Sequence, residues 1–289
     1  MNYAFFLALL SPLFWAATNL IDKYIISRKV TNEITYLPVF GLANFIFGVV
    51  LALVLDWSVI HPSMLFFPAI AGIAYAVGTV FYLRLLKRED VTHVIGLVYL
   101  YPVLVAVLSF IFIGEQLSWF GYLGMALVLM GIFLLYTRMK KINLQTSIWF
   151  VVAVVFSSAF QEFMIKLGTT AISPWHGLAI SEVVLGCCLS LFLFSKNIQK
   201  NSIQEFKNLP YAFLSVVFVF GGIGTLYFAL TSLPVTVVSS VAAIQPVAVL
   251  MFERALATKL RIPVKDRMLL PKLGAIILIV GGVMLLYIS

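Results

Sequence analysis

The sequence predicts an all-α polytopic membrane protein, ten transmembrane helices arranged as two inverted five-helix repeats. Three observations predict it. The 289 residues are 63% hydrophobic and only 10% charged, where soluble domains carry about 25% charged residues, and the mean hydropathy is +1.10. The second half repeats the first: VTHVIGLVYLYPVLVAVLSFIFIG at 91–114 returns as VTVVSSVAAIQPVAVLM at 235–251, with Val91-Thr92 matching Val235-Thr236 and Pro102 matching Pro246 at an offset of 144. Finally, 18 of the 19 lysines and arginines fall in alternate loops.

The expected spans are 4–21, 34–55, 64–86, 91–114, 117–136, 147–167, 175–194, 211–230, 235–251 and 269–288, each near the ~20 apolar residues that cross a bilayer. The opening run MNYAFFLALL has no basic n-region and no small-residue cleavage site, so it reads as a first helix and not a signal peptide. Only Gly114-Glu115-Gln116 separates the fourth and fifth spans, a tight helical hairpin, whereas a longer basic loop, 253–272, joins the ninth to the tenth. The repeat runs through the chain, dividing it into 1–142 and 143–289. Residues 37–51 parallel 175–189, placing Asn44 opposite Glu182; Gly78-Thr79-Val80-Phe81 parallels Gly224-Thr225-Leu226-Tyr227; Asn19 and Lys23 parallel Glu162 and Lys166. Five spans per half is an odd number, so the second half enters the membrane from the opposite side.

Charge sets the sidedness. The loops after spans 1, 3, 5, 7 and 9 hold every basic residue except Lys166, including Arg138, Lys140, Lys141, Lys259, Arg261, Lys265, Arg267 and Lys272. The positive-inside bias makes those loops cytoplasmic and puts both termini outside, in a multi-pass protein of the cell membrane. The net charge of +8 therefore points to the lipid bilayer and not to nucleic acid. Cys187-Cys188 are adjacent in an apolar run, a spacing for neither a disulfide framework nor zinc, and read as small packing residues.

A proline in mid-helix removes a backbone hydrogen bond and clashes with the carbonyl four residues back. In hydrocarbon such a defect persists where protein or a water-lined cavity satisfies the freed group. Pro102 and Pro246, in matching positions, are thus hinge candidates beside a central cavity. Charges inside spans are costly and usually have a task. Glu162 and Glu182 are candidates for binding a cationic group or a proton; the plainer alternative is a neutralised carboxylate that fixes packing, and Lys166, four residues after Glu162, shares its face and can pair with it. Trp15, Asn19 and Lys23 share a face at i, i+4, i+8, and Asn19 and Asn44 are further polar candidates. Asp22 and Lys23 read as an interfacial ion pair. Tyr82, Tyr99, Tyr101 and Gln245 offer hydrogen bonds on or beside the proline-bearing helices, and Ser239-Ser240 offer hydroxyls or close packing. Arg84 either snorkels or captures an anion; His93 reads as a surface residue. The many glycines, among them Gly96, Gly281 and Gly282, suit close helix approach.

Two five-span halves, a mid-helix proline in the fourth span of each, Gly114-Glu115 closing span 4, and the run LRLLKREDVTHVIGLVYLYPVLVAVLSFIFIGEQLSWFGYLGMALVLMGIFLLY at 83–136 resemble the EamA-type transporters of the drug/metabolite transporter superfamily. The second half fits at Phe228-Ala229-Leu230, 234–246 and 273–286. The resemblance implies spans 1–4 and 6–9 around a central pathway, with spans 5 and 10 peripheral, packed on each other or between subunits. It implies movement of small metabolites, amino acids among them, often outward and in some members with proton coupling. Two departures stand out. The spacing that yields Glu115 after Pro102 reaches Lys259 after Pro246, with Glu253 too early, so the second hairpin is rebuilt. The resemblance also implies termini inside, whereas the basic residues place them outside.

The expected function is a secondary transporter, an exporter of small organic metabolites such as amino acids or amines, working by alternating access as a monomer or homodimer. There is no G-x-x-x-x-G-K-[ST] motif and no cofactor or metal is expected. The rival readings are a membrane enzyme, against which no histidine cluster, H-E-x-x-H or nucleophile–base pair is found, and a non-transporting sensor or scaffold, which has no reason to bear buried Glu182 and twin prolines.

Overall fold

Two of the long apolar stretches are not continuous helices. In the computed structural model, which describes residues 2–58, 60–89, 91–137, 144–260 and 269–288, the fourth stretch is α4 (Val91–Val98) followed by α5 (Tyr101–Ile113), and the ninth is α11 (Val235–Ala242) followed by α12 (Gln245–Leu260). At each break the chain tightens into i→i+3 turns, Leu100 N to Leu97 O (3.3 Å) in one and Ala243 N to Ser240 O (3.2 Å) in the other. Pro102 and Pro246 are the physical reason: neither has an N–H to give the preceding turn, and each ring excludes a straight continuation. The expected hinges are therefore full breaks.

The remaining helices are α1 (Asn2–Arg28), α2 (Glu33–Val54), α3 (Phe66–Arg88), α6 (Trp119–Thr137), α7 (Leu144–Thr169), α8 (Pro174–Ser190), α9 (Lys196–Glu205), α10 (Leu209–Leu230) and α13 (Leu269–Ile288). The described residues form no strand. Among the described residues, eight helical stretches are long and apolar enough to cross a membrane, and Trp119–Leu134 and Gly274–Ile288 are apolar but shorter. Local chemistry sets several ends. Asn32 Oδ1 accepts from Ile34 N at 2.8 Å to start α2, and Gly114, at φ 65, closes α5 in the left-handed conformation a glycine adopts freely. The polar helix α9 was not expected from the sequence; it is tied to the α1–α2 loop by Glu205, whose Oε1 accepts from the amide (3.1 Å) and hydroxyl (2.7 Å) of Thr31. The basic residues Arg138, Lys140, Lys141, Arg261, Lys265 and Arg267 lie outside the described residues, as do the side chains of His93, Lys259 and Lys272.

The packing recurs when the halves are exchanged. The principal contacts are α1 with α10, α3 with α7, α2 with α8 and α6 with α13. The first two interchange and the last two map onto themselves. Individual contacts obey the same rule. A methyl on Gly48 would meet Val183 and the carbonyl of Ala179; one on Gly186 would meet Phe45 and the carbonyl of Gly41, each residue displaced by 138. Gly124 lies against Gly282 O (2.7 Å to its virtual Cβ) and Gly131 against Ala275 O (2.8 Å), displaced by 151 where the longer basic loop intervenes. Lys23 Nζ donates to Leu86 O and Glu89 O, both 2.6 Å, and Lys166 Nζ to Leu230 O (2.9 Å) and Leu233 O (2.7 Å). That last pairing fixes the register of α3 on α10 at 144, so Gly78 corresponds to Gly222 and not to Gly224: the GTVF/GTLY similarity misaligned the third spans by two residues.

Small residues let these backbones approach closely. Gly186→Ala is expected to destabilise the protein by about 1–3 kcal/mol, because the added carbon would fall 2.5 Å from Phe45 Cβ and 2.6 Å from Gly41 O. Gly281→Ala, which meets nothing within 4 Å, should leave the thermal midpoint in detergent unchanged or raise it. Equal midpoints for the two variants would refute the close approach. A methyl on Gly96 would likewise meet no described atom within 4 Å, so not every helical glycine here marks a close approach. Cys187 is an exposed and Cys188 a half-buried free thiol, so only the second is partly a packing residue. Phe112, Trp119, Trp149 and Leu53 are exposed, as lipid-facing side chains would be.

Candidate functional site

A cavity of about 130 Å³ lies where the two helix breaks face each other, walled by α1, α3, α4, α5, α7, α10, α11 and α12, with Phe40 from α2. Its lining is doubled. Ser11/Val154, Trp15/Ser158, Thr18/Gln161 and Asn19/Glu162 line it at an offset of 143, and Tyr82/Leu226, Val98/Ala242 and Tyr101/Gln245 at 144. The other lining residues, Asp22, Phe40, Tyr75, Gly78, Thr79, Ile95 and Tyr99, all come from the first half. Their counterparts at these offsets, among them Ile165, Ser239 and Ala243, are fully buried. The cavity thus has a shared centre and an extension toward one end only, where α1 finishes and α4 starts. The opposite end, where α11 starts, is filled.

The filled end is latched by Glu115, just beyond the glycine that ends α5. Its Oε1 accepts from Val235 N (2.9 Å), and its Oε2 from Thr236 N (3.0 Å) and Thr236 Oγ1 (2.8 Å). A carboxylate on the free amides of a helix N-terminus is well placed both as acceptor and in the helix dipole. Ser109 and Thr236 add a hydroxyl–hydroxyl contact of 2.8 Å.

Within the centre, Tyr82 OH donates to Asn19 Oδ1 at 2.6 Å, and Tyr99 OH donates to Gln245 Oε1, linking one break to the other. Tyr101 lines the same space as Glu162. Two buried atoms on residues that line this space have no protein partner, Asn19 Nδ2 and Glu162 Oε1, on residues only 3% and 4% exposed. Orphaned polar atoms in an interior normally meet a ligand or water. At the extension, Ser215 Oγ donates to Asp22 Oδ1 at 2.5 Å.

Six of the eight residues expected to bind, Asn19, Tyr82, Tyr99, Tyr101, Glu162 and Gln245, line one cavity. Asn44 and Glu182 do not. They are fully buried where α2 packs on α8; Asn44 Nδ2 donates to Phe40 O (2.8 Å), and Asn44 Oδ1 and both Glu182 oxygens lack partners. The placement follows from the α2–α8 register, in which close glycine contacts flank both residues. Lys166 caps α10 and the turn after it and does not neutralise Glu162. Asp22, expected in an interfacial ion pair, is 2% exposed, bonded to Ser215 and lines the cavity; its signal was the i, i+3 spacing from Asn19. Arg84 lies over the rings of Phe81 (5.9 Å) and Phe150 (5.7 Å).

The sequence pattern described as the EamA-like transporter family matches the chain twice, over residues 2–137 and 145–288. A crystal structure described only as that of a protein superposes with a TM-score of 0.69 at 14% identity, covering 99% of this chain and 96% of that one, a likeness of fold. Among curated proteins, no significant sequence match is found.

Proposed function

This chain belongs to the EamA-like transporter family of membrane proteins, and on that premise we propose that it is a secondary transporter that exports small organic metabolites, amino acids or amines, by alternating access, driven by proton entry. The observation that carries this reading is the doubled lining: equivalent positions of both halves enclose one space, and two of them, Asn19 and its counterpart Glu162, carry buried atoms without a protein partner. Halves of opposite orientation offer the same site to opposite sides when one half rocks against the other. The breaks before Pro102 and Pro246 are where the helices bend. A carboxyl at Glu162 holds either a proton or a cationic group, so entry of one expels the other. The loops rich in lysine and arginine lie in the cytoplasm, with both termini outside the cell membrane.

Flux of a metabolite panel in proteoliposomes tests the reading. Glu162→Gln keeps the shape and removes the charge, so transport of any carried solute should fall by at least about tenfold, the loss of about 1.4 kcal/mol of binding. If folded wild-type protein moves no solute of the panel, the transport reading fails.

A further inference from the structure

Resting on that transport reading, we propose that the cavity selects organic cations, and that Asp22 is a second cation-binding carboxylate at its extended end, in series with Glu162 at its centre. Both carboxylates line the cavity, and among the described residues no lysine, arginine or histidine does. The lysines closest to that end are engaged elsewhere: Lys23 with Leu86 O and Glu89 O, and Lys87 with Ile26 O (2.9 Å) and Val30 O (3.2 Å). The groups beside the carboxylates, Ser215 Oγ donating to Asp22 and Tyr101 lining the cavity with Glu162, are neutral. They do not balance a carboxylate's charge. A second anionic group brought into this low-dielectric space would face uncompensated repulsion. An amino acid brings one with its carboxylate; an amine does not.

The walls agree. Trp15, Tyr75, Tyr82, Tyr99 and Tyr101 line the same space, with Trp15 and Tyr75 edge-packed at 5.9 Å. Ring faces attract ammonium groups, most strongly where water is excluded. Asn19 Nδ2 remains for a neutral acceptor such as a hydroxyl. The two carboxylates are at different depths. Glu162 pairs with Asn19 in the shared centre, whereas the counterpart of Asp22 is Ile165, fully buried at the filled end. Asp22 therefore meets a cation that enters from the extended end before Glu162 does.

Three near-isosteric probes separate charge from shape: 2-phenylethylamine (cation), phenylalanine (the same skeleton with a carboxylate) and 3-phenylpropionate (anion). Calorimetric titration of purified protein should show 2-phenylethylamine binding at least about tenfold more tightly than phenylalanine, with no binding of 3-phenylpropionate. Asp22→Asn and Glu162→Gln should each weaken 2-phenylethylamine about tenfold. Phenylalanine or 3-phenylpropionate binding as tightly as the amine overturns the selectivity, and that comparison needs no variant. An unchanged amine affinity in monodisperse Asp22→Asn protein removes Asp22 from the path. Flux keeps the two readings apart. If phenylalanine moves and the amine does not, cation selection falls and transport stands. If the amine binds but nothing moves, transport falls and cation selection stands.

Discussion

Glu115→Ala should shift the resting equilibrium of the carrier by about a hundredfold toward the state open at the α11 end. The carboxylate accepts three hydrogen bonds there, two from amides at the start of α11 and one from Thr236 Oγ1. Hydrogen bonds to charged groups contribute about 1.5–3 kcal/mol each. Water replaces part of that when the end opens, so a net change of roughly 3 kcal/mol, or about a hundredfold, is expected. The repeat does not place the same acceptor at the opposite end. The residues that start α4 are again Val91 and Thr92, but the position that would supply their acceptor, 144 residues after Glu115, is Lys259. An ammonium donates and cannot accept from helix amides. The asymmetry matches the cavity, which extends along α4 to Ile95 yet along α11 no further than Ala242.

The measurement is alkylation of a single cysteine at position 239, in protein whose Cys187 and Cys188 have been replaced by serine. Ser239 is fully buried at the latched end. A cysteine in its place should react slowly in the parent and much faster with Glu115→Ala. Unchanged labelling on loss of Glu115 would show that these bonds do not hold the end shut.

Patterns that depend on neighbours along one helix were legible in the sequence. The two prolines located both helix breaks, and polarity on otherwise apolar spans picked out Asn19, Tyr82, Tyr99, Tyr101, Glu162 and Gln245, all of which line the cavity. What escaped depends on which helices touch. Glu182 was a strong candidate because a charge in a span is costly, but cost is equal on any buried face, and only the α2–α8 contact shows that its face is closed. Asp22 was read as interfacial because it adjoins Lys23, although its partner Ser215 is 193 positions away. The GTVF/GTLY resemblance outweighed the true register of the third spans, since composition in apolar helices is too repetitive to fix an alignment to one residue. The filled end of the cavity left no trace either, because it too depends on which helices touch.

Lys166 separates the local reading from the tertiary one most sharply, and Lys166→Met should destabilise the protein by about 3 kcal/mol or more. From the sequence alone it is a counter-ion for Glu162, one helical turn away. In the fold its ammonium group closes the end of α10 through Leu230 O and the turn that follows through Leu233 O, as Lys23 does for α3 through Leu86 O and Glu89 O. A cation at a helix C-terminus is favoured by the helix dipole, and its loss leaves two carbonyls at a half-buried helix end without their donor, at about 1–3 kcal/mol each. A double-mutant cycle distinguishes the readings. If Lys166 neutralised Glu162, either single change would leave a charge unpaired, and Lys166→Met with Glu162→Gln together would recover stability. If Lys166 is a cap, the effects of the two changes on the unfolding free energy should add within about 0.5 kcal/mol. Lys23→Met, at the equivalent place in the other half, should cost a comparable amount. Strong coupling between positions 162 and 166 would instead assign Lys166 to the binding site and withdraw it from the frame that holds the ends of the third spans.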